Sequence, residues 1–336
     1  MEDVICFGIC DSKYVDMVKV ALYSFYQHND LELKLFLTDD SSKIYKGTFK
    51  NFDFFNKIEF IDFCKGTKTK AYIDKHFDDF KTFSFCFDKS GILNVTIANE
   101  VTDYMSERYS KDYRVILRLD LDVIFFNSVL PSIKNFIESS KTLGGCQESS
   151  MSMDYGRRIL KLEKYIQCKK YLNAGNFMYN TSKMFKNQFE RMCNLFETIG
   201  FDRFHYFDQD TVNIMYSDDE KYDANDDGWI IPIVPIMNYS KLIRKKVKPI
   251  FIHFVGTTKP FIDPDKYEKF NISDDKSNCF SIFFPFYLEI ARKTNCSKEF
   301  IEQVEKNYLR FKDFDVKDGS GVINILLKLL AKIIEG

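Results

Sequence analysis

Several common features are missing from this sequence. No two of its nine cysteines form a CxxC pair, and Cys6, Cys10, Cys64, Cys86, Cys146, Cys168, Cys193, Cys279 and Cys296 lie scattered among mostly apolar neighbours. An odd, dispersed set excludes a disulfide framework and a structural zinc site, and points to core thiols in a reducing compartment. Net charge is lacking as well, with 48 Lys and Arg against 49 Asp and Glu. No overall field therefore selects nucleic acid or an acidic partner. The one dense basic cluster, Lys241, Arg244, Lys245, Lys246 and Lys248, reads as a solvated edge. No apolar run reaches the roughly 20 residues needed to span a bilayer. The opening MEDVICFGIC has neither the basic stretch nor the long apolar core of a secretion signal. A cytoplasmic location is the expectation, and sequons such as Asn180-Thr181-Ser182 are accidental on that reading. No internal repeat is present.

What is there is an ordinary globular composition, 45% hydrophobic and 29% charged over 336 residues, enough for one large or two ordinary domains. Strand and helix patterns alternate. Val4 to Cys10 is a short apolar run closed by Asp11, Val15 to Tyr26 has helical spacing, and Leu33 to Leu37 and Lys57 to Ile61 read as further strands. This is the grammar of an α/β fold. Helices are expected over Ile92 to Tyr109, Pro131 to Ser139, Ser182 to Thr198 and from Asp208 to Met215, with strands over Arg114 to Leu119 and Phe177 to Tyr179.

The stretch VILRLDLDVIFFNSV, residues 115–129, sets Asp120 and Asp122 inside an apolar run. On a strand, alternate residues point to the same side, so the two carboxylates would project together. Paired charges near a core are unfavourable unless a cation joins them. Both Asp11 and this pair close strands, where ligands of an open α/β sheet bind. Two readings compete on the pair alone: acids that end a strand and face water, or a ligand site. A strand followed by Asp-Leu-Asp-Val also resembles the nucleophile strand of haloacid-dehalogenase-like phosphatases, which is the enzymatic alternative.

Three later motifs separate these readings. YLNAGNFMYN (171–180), FDQDTVNIMY (207–216) and FIHFVGTTKPF (251–261) follow the acid pair in that order. Together the four patterns resemble the signatures of family 8 of the retaining glycosyltransferases, from about Val4 to Phe261. The resemblance implies a GT-A fold, a Rossmann-like mixed central sheet flanked by helices. It also implies a nucleotide-sugar donor, usually a UDP-sugar, a manganese ion (or Mg2+), and transfer with retention of anomeric configuration.

In the family the paired acids and the His of the HFxG motif bind one metal, which maps onto Asp120, Asp122 and His253. Carboxylate oxygens with one imidazole suit Mn2+, whose charge would help the nucleoside diphosphate leave. Gly256 would let backbone approach the phosphates and Lys259 would place a point charge on them. The resemblance sets Asn173, Asp208 and Gln209 around the donor sugar, and double displacement would need a nucleophile for which Asp208 and Gln209 are the matched candidates. Asp208 would serve equally as a helix-terminal acid. ICDSKY resembles the nucleotide-binding opening, which implies Asp11 and Tyr14 at the base and ribose. Glu148 lies where an acid near the acceptor is common.

Two departures stand out: residues 94–105 carry no basic residue where many members place an arginine, and Phe261 replaces a final Trp. Beyond Phe261 the resemblance thins. Asp318 to Gly321 reads as a hinge before VINILLKLLAKIIEG, a helix with one narrow polar stripe whose apolar surface needs the protein's own body, a second subunit or a membrane interface to cover it. The expected organisation is a catalytic domain over 1–265, a helical extension over 266–317 and a terminal helix over 318–336. The function implied is a metal-dependent hexosyltransferase, using UDP-glucose or UDP-galactose, acting on a saccharide or lipid-linked glycan at the inner face of a membrane. A degenerate transferase fold kept as a sugar-binding module is the non-enzymatic alternative.

Overall fold

Short apolar runs, each closed by a polar residue and answered by a helix, build parallel strand neighbours through crossover helices. The computed structural model describes residues 2–64, 66–80, 89–148, 154, 157–158, 161–204, 206–230, 236–255, 259–263, 281–312 and 321–335. The strands are β1 (Glu2–Cys10), β2 (Leu33–Leu37), β3 (Ile58–Asp62), β4 (Tyr113–Leu119), β5 (Val123–Phe125), β6 (Leu143–Gln147), β7 (Leu172–Asn180), β8 (Lys221–Asp223), β9 (Trp229–Ile230) and β10 (Phe251–His253). The α-helices run α1 (Val15–Tyr26), α2 (Ser42–Phe49), α3 (Lys68–Phe80), α4 (Lys89–Thr96), α5 (Ala98–Tyr109) and α6 (Leu130–Ser139). They continue as α7 (Gln188–Ile199), α8 (Phe207–Met215), α9 (Ile236–Lys245), α10 (Phe284–Lys293), α11 (Lys298–Phe311) and α12 (Gly321–Glu335). The chain divides into two compact units, one of Met1–Lys13, Leu31–Leu119 and Ser132–Asp223, the other of Tyr14–Asp30, Asp120–Pro131 and Ala224–Gly336.

The first unit holds a seven-stranded sheet in the order β3-β2-β1-β4-β7-β6-β8. Strands β1 to β4 run parallel to one another, β7 is antiparallel to both β4 and β6, and β8 is parallel to β6. This is the mixed central sheet the sequence implies. Strand β7 is buried along nearly its whole length, which explains why only its last residues read as a strand: with both faces covered, there is no alternation to see. One layer of the core joins Phe7, Ile116 and Phe177 of the sheet to Ile97, Val101 and Met105 at the start of and along α5. The expected helix over 92–109 is broken near Ile97 into α4 and α5. The helix expected from Ser182 begins instead at Gln188. Asn187 takes a left-handed φ of 59°, and Asp103 accepts the N–H groups of Gln188 at 2.8 Å and Phe189 at 2.9 Å. An acid on a neighbouring helix thus supplies the cap that chain-local residues do not.

The second unit contains a smaller sheet in the order β5-β10-β9. Strand β10 is antiparallel to β5, pairing His253 with Val123, and parallel to β9. Gly228, at φ 101°, opens β9, and a Cβ there would lie 3.1 Å from the backbone nitrogen of Ile250. Only glycine accommodates both demands. Behind this sheet Phe125 meets Phe25 of α1 and Phe251, and Phe251 meets Trp229. The face of α12 carrying Leu330 and Ala331 is buried, with α12 packed on α9, while Ile325 and Leu329 stay exposed. In the basic cluster, Lys241 pairs with Asp226 and Lys248 donates to the carbonyl of Ile334 at 3.3 Å. Among the described residues no helix is long and apolar enough to cross a membrane. The expected boundaries at 265/266 and 317/318 fall outside the described residues, as does Gly256.

Candidate active site

Parallel strands aim their carboxyl ends at one edge, and in the first unit that edge collects polar side chains. Asp11 follows β1, Glu148 follows β6, Arg118 is the penultimate residue of β4, and the antiparallel β7 brings its first residues there by pairing Asn176 with Leu119. Asp11 is buried; its Oδ1 accepts the N–H of Lys13 at 2.9 Å and its Oδ2 accepts Asn94 Nδ2 at 3.1 Å. The first bond is an Asx turn, in which a side chain takes the backbone N–H two residues on. Asn94 in turn accepts from Thr38 Oγ1 at 2.8 Å, a partner with no signal in the sequence.

Glu148 is the hub of a buried carboxamide network. Its Oε1 accepts Asn173 Nδ2 at 2.7 Å and Gln209 Nε2 at 3.1 Å. Gln209 Oε1 accepts the N–H of Ala174 at 2.9 Å and Asn173 Nδ2 at 3.2 Å. Asn173 Oδ1 takes the N–H of Gly175 at 2.9 Å. The structure therefore brings Asn173 and Gln209 together and places Glu148 at their centre. Beside them Arg118 Nη1 donates to Asp208 Oδ2 at 2.8 Å, with both side chains buried. Burial pushes the Asp208 carboxyl above its ordinary range, and Arg118, with the backbone N–H groups at the start of α8, offsets only part of that rise. Phe207, immediately before, holds a φ of 20°. Its ring is fixed 5.5 Å from Phe80 and 6.2 Å from Phe196. The aromatic cluster over-determines a strained turn that orients Asp208 and Gln209.

The second unit carries the acid pair. Asp120 and Asp122 lie in the short link between β4 and β5, not on a strand as the alternation argument assumed. They still converge: His253 Nε2 is 2.9 Å from Asp122 Oδ1 and 3.5 Å from Asp120 Oδ2. The antiparallel β5–β10 ladder explains this, continued by the N–H of Phe254 donating to the carbonyl of Asp122 at 2.9 Å. Ligand atoms of the three residues lie within 4.8 Å of one another. Lys259 Nζ pairs with Asp122 Oδ2. Burial alone would raise the Asp122 carboxyl, but His253 and Lys259 hold it well below the usual carboxylate range. Burial would likewise lower Lys259, and Asp122 with Asp120 keeps it above its ordinary value. Two carboxylates and an imidazole are a hard-to-borderline donor set that fits a divalent cation, and the lysine shows how strongly the cluster favours positive charge.

Lys259 is itself held from the C-terminal helices. Asn307 of α11 donates through Nδ2 to the carbonyls of Lys259 at 3.2 Å, Pro260 at 2.9 Å and Ile262 at 2.7 Å. Phe261 stacks on Tyr287 and Phe300. Tyr14 ends a short 3-10 turn in this unit and is 36% exposed.

Comparison with known proteins gives the family and the fold. Residues 5–263 match the model of glycosyl transferase family 8. The galactosyltransferase LgtC, solved with donor and acceptor sugar analogues, is similar at a TM-score of 0.55 and 16% identity, over 89% of this chain and 99% of that one. The bifunctional glycosyltransferase WbbM is similar at a TM-score of 0.54 and 13% identity, over 91% of this chain and 52% of that one. The chain thus spans about half the length of WbbM. No curated protein matches the chain. The GT-A fold is the one the sequence implies, and the phosphatase alternative falls with it. With the match covering most of its length, the chain belongs to glycosyl transferase family 8.

Proposed function

We propose that the chain is a metal-dependent retaining hexosyltransferase that moves glucose or galactose from its UDP derivative to a saccharide acceptor, and that it is not a degenerate binding module. The observation that carries this is the convergence of Asp120, Asp122 and His253, all three intact, in a family 8 chain. These residues would hold Mn2+ (or Mg2+), which when bound neutralises charge on the departing diphosphate. Lys259 and the backbone at Gly256 serve the phosphates, and Asp11 and Tyr14 the nucleoside. Asn173, Gln209 and Asp208 serve the donor sugar. That both sets serve one reaction is carried by family membership.

The hydrogen bonds of the sugar-binding set bear on how configuration is retained. Gln209 Oε1 already accepts two N–H groups, and Asp208 is engaged by Arg118. A carbonyl oxygen with both lone pairs occupied is a poor nucleophile. This favours a same-face route. The bond from the anomeric carbon to the phosphate oxygen breaks, the acceptor oxygen bonds to that carbon from the same side, and the acceptor proton passes to the leaving phosphate. Asp208, Gln209 and Asn173 then orient the sugar by accepting and donating at its hydroxyls.

A lipid-linked glycan acceptor and peripheral contact through residues 322–335 belong to the same proposal, supported by the exposed Ile325 and Leu329. So does the division into a catalytic domain (1–265), a helical extension (266–317) and a terminal helix (318–336). The test is UDP release from UDP-glucose and UDP-galactose with Mn2+ and after chelation. Turnover that requires the ion, and is lost in Asp120→Asn together with calorimetric Mn2+ binding, is the expected result. Metal-independent turnover, or Mn2+ binding unchanged in Asp120→Asn, would overturn the reading.

A further inference from the structure

Asn176 is buried, at 2% exposure, and among the described residues neither its Nδ2 nor its Oδ1 has a hydrogen-bond partner. Among those residues it is the one side chain with two separate polar atoms in that state. Buried amides are ordinarily satisfied, because each unmet polar atom forfeits its hydration without return. Leucine has nearly the same size and none of this penalty, so the amide is a liability to folding unless something binds it. Its place in the fold says where that something sits. Asn176 pairs with Leu119 at the carboxyl end of β4, so its side chain leaves the sheet on the face of Leu119, opposite that of Arg118, and it lies three residues beyond Asn173 on β7. That edge carries the network of Glu148, Asn173 and Gln209.

We infer that Asn176 is a sugar-binding residue, donating through Nδ2 to one hydroxyl and accepting at Oδ1 from its neighbour. The inference rests on the transferase reading above. A carboxamide presents one donor and one acceptor side by side, and adjacent sugar hydroxyls present the complementary pair. A phosphate does not, since its oxygens would repel Oδ1. The donor hexose and the saccharide acceptor share this chemistry, and the experiment separates them.

The test uses Asn176→Leu, with Asn176→Ala as the variant that removes the amide without adding bulk should the leucine fail to fold. The melting temperature of Asn176→Leu is expected to equal or exceed that of the wild type by about 2 °C. UDP binding stays within about twofold, whereas binding of UDP-glucose or UDP-galactose, or transfer from them to free hexoses and disaccharides, falls about tenfold. Weakened UDP-hexose binding assigns the amide to the donor sugar. Intact donor binding with impaired transfer assigns it to the acceptor. Unchanged binding and transfer in both variants overturns the inference, as does a loss of UDP affinity in parallel, which would put the amide on the nucleotide. A wild type that neither binds nor turns over any nucleotide sugar ends the transferase reading itself, and the inference with it.

Discussion

Replacing Arg118 by methionine would leave the Asp208 carboxylate buried with no cationic partner. Removing one member of a buried ion pair typically destabilises by about 3–5 kcal/mol, because the remaining charge keeps its desolvation penalty. Protonation sets a ceiling. Placing a proton at pH 7 on a carboxyl whose unfolded pKa is near 3.9 requires about 4 kcal/mol, so Arg118→Met should not exceed that value. The sign follows from the direction of the shift. Burial already holds Asp208 above its ordinary range, with Arg118 offsetting part of the rise. Without the guanidinium the carboxyl climbs further, and a raised folded pKa gives stability that is present at low pH and lost as pH rises through it. The deficit of Arg118→Met against wild type is therefore largest at neutral pH and shrinks in acid, by up to about 1.4 kcal/mol per unit. Urea denaturation at pH 5 to 8 reads it directly. The double variant Arg118→Met/Asp208→Asn removes both charges and should recover most of the stability while transfer stays impaired, since Asp208 is proposed to serve the donor sugar. A deficit independent of pH, with the two substitutions additive, would refute the coupling argument.

Two further outcomes follow from packing. Asn307→Ala removes the amide whose two N–H groups serve three carbonyls, those of Lys259, Pro260 and Ile262, and should destabilise by about 2 kcal/mol. Because Lys259 is displaced with them, KM for the UDP-hexose should rise about five- to tenfold while kcat changes less; a purely structural role would lower the urea midpoint and leave KM alone. Gly144→Ala would place a Cβ 2.8 Å from Met178 Cε and 3.0 Å from Phe136 Cδ2. Overpacking of this kind should lower stability by about 1–3 kcal/mol, read in the urea midpoint, with UDP affinity unchanged.

The set of Asp120, Asp122 and His253 was legible because its residues are chemically distinctive and arrive in a fixed order along the chain. The geometry assumed for it was not: Asp120 and Asp122 converge from a link between two strands, and the partner ladder from β10, about 130 positions later, does the aligning. Arg118 was hidden in plain view. A strand reading of VILRLD assigns its arginine no task, and the family resemblance points for a cation to residues 94–105 of the preceding helix. A long side chain at the end of a buried central strand, facing the start of α8, answers for it. Glu148 carried only a faint signal, since an acid after an expected strand is common, yet three side chains meet at its position. Asn307 carried none at all. Its contribution depends on one amide meeting three carbonyls across some 45 residues, a relation that no periodicity or motif encodes.

The three-residue ladder between β5 and β10 has a consequence for biogenesis. During synthesis both carboxylates leave the ribosome long before the imidazole that completes their grip, and Asn307, which anchors Lys259, emerges later still. Capture of the proposed cation thus has to wait for the far end of the polypeptide, so a prematurely stopped chain would carry the acidic couplet without the imidazole that joins it.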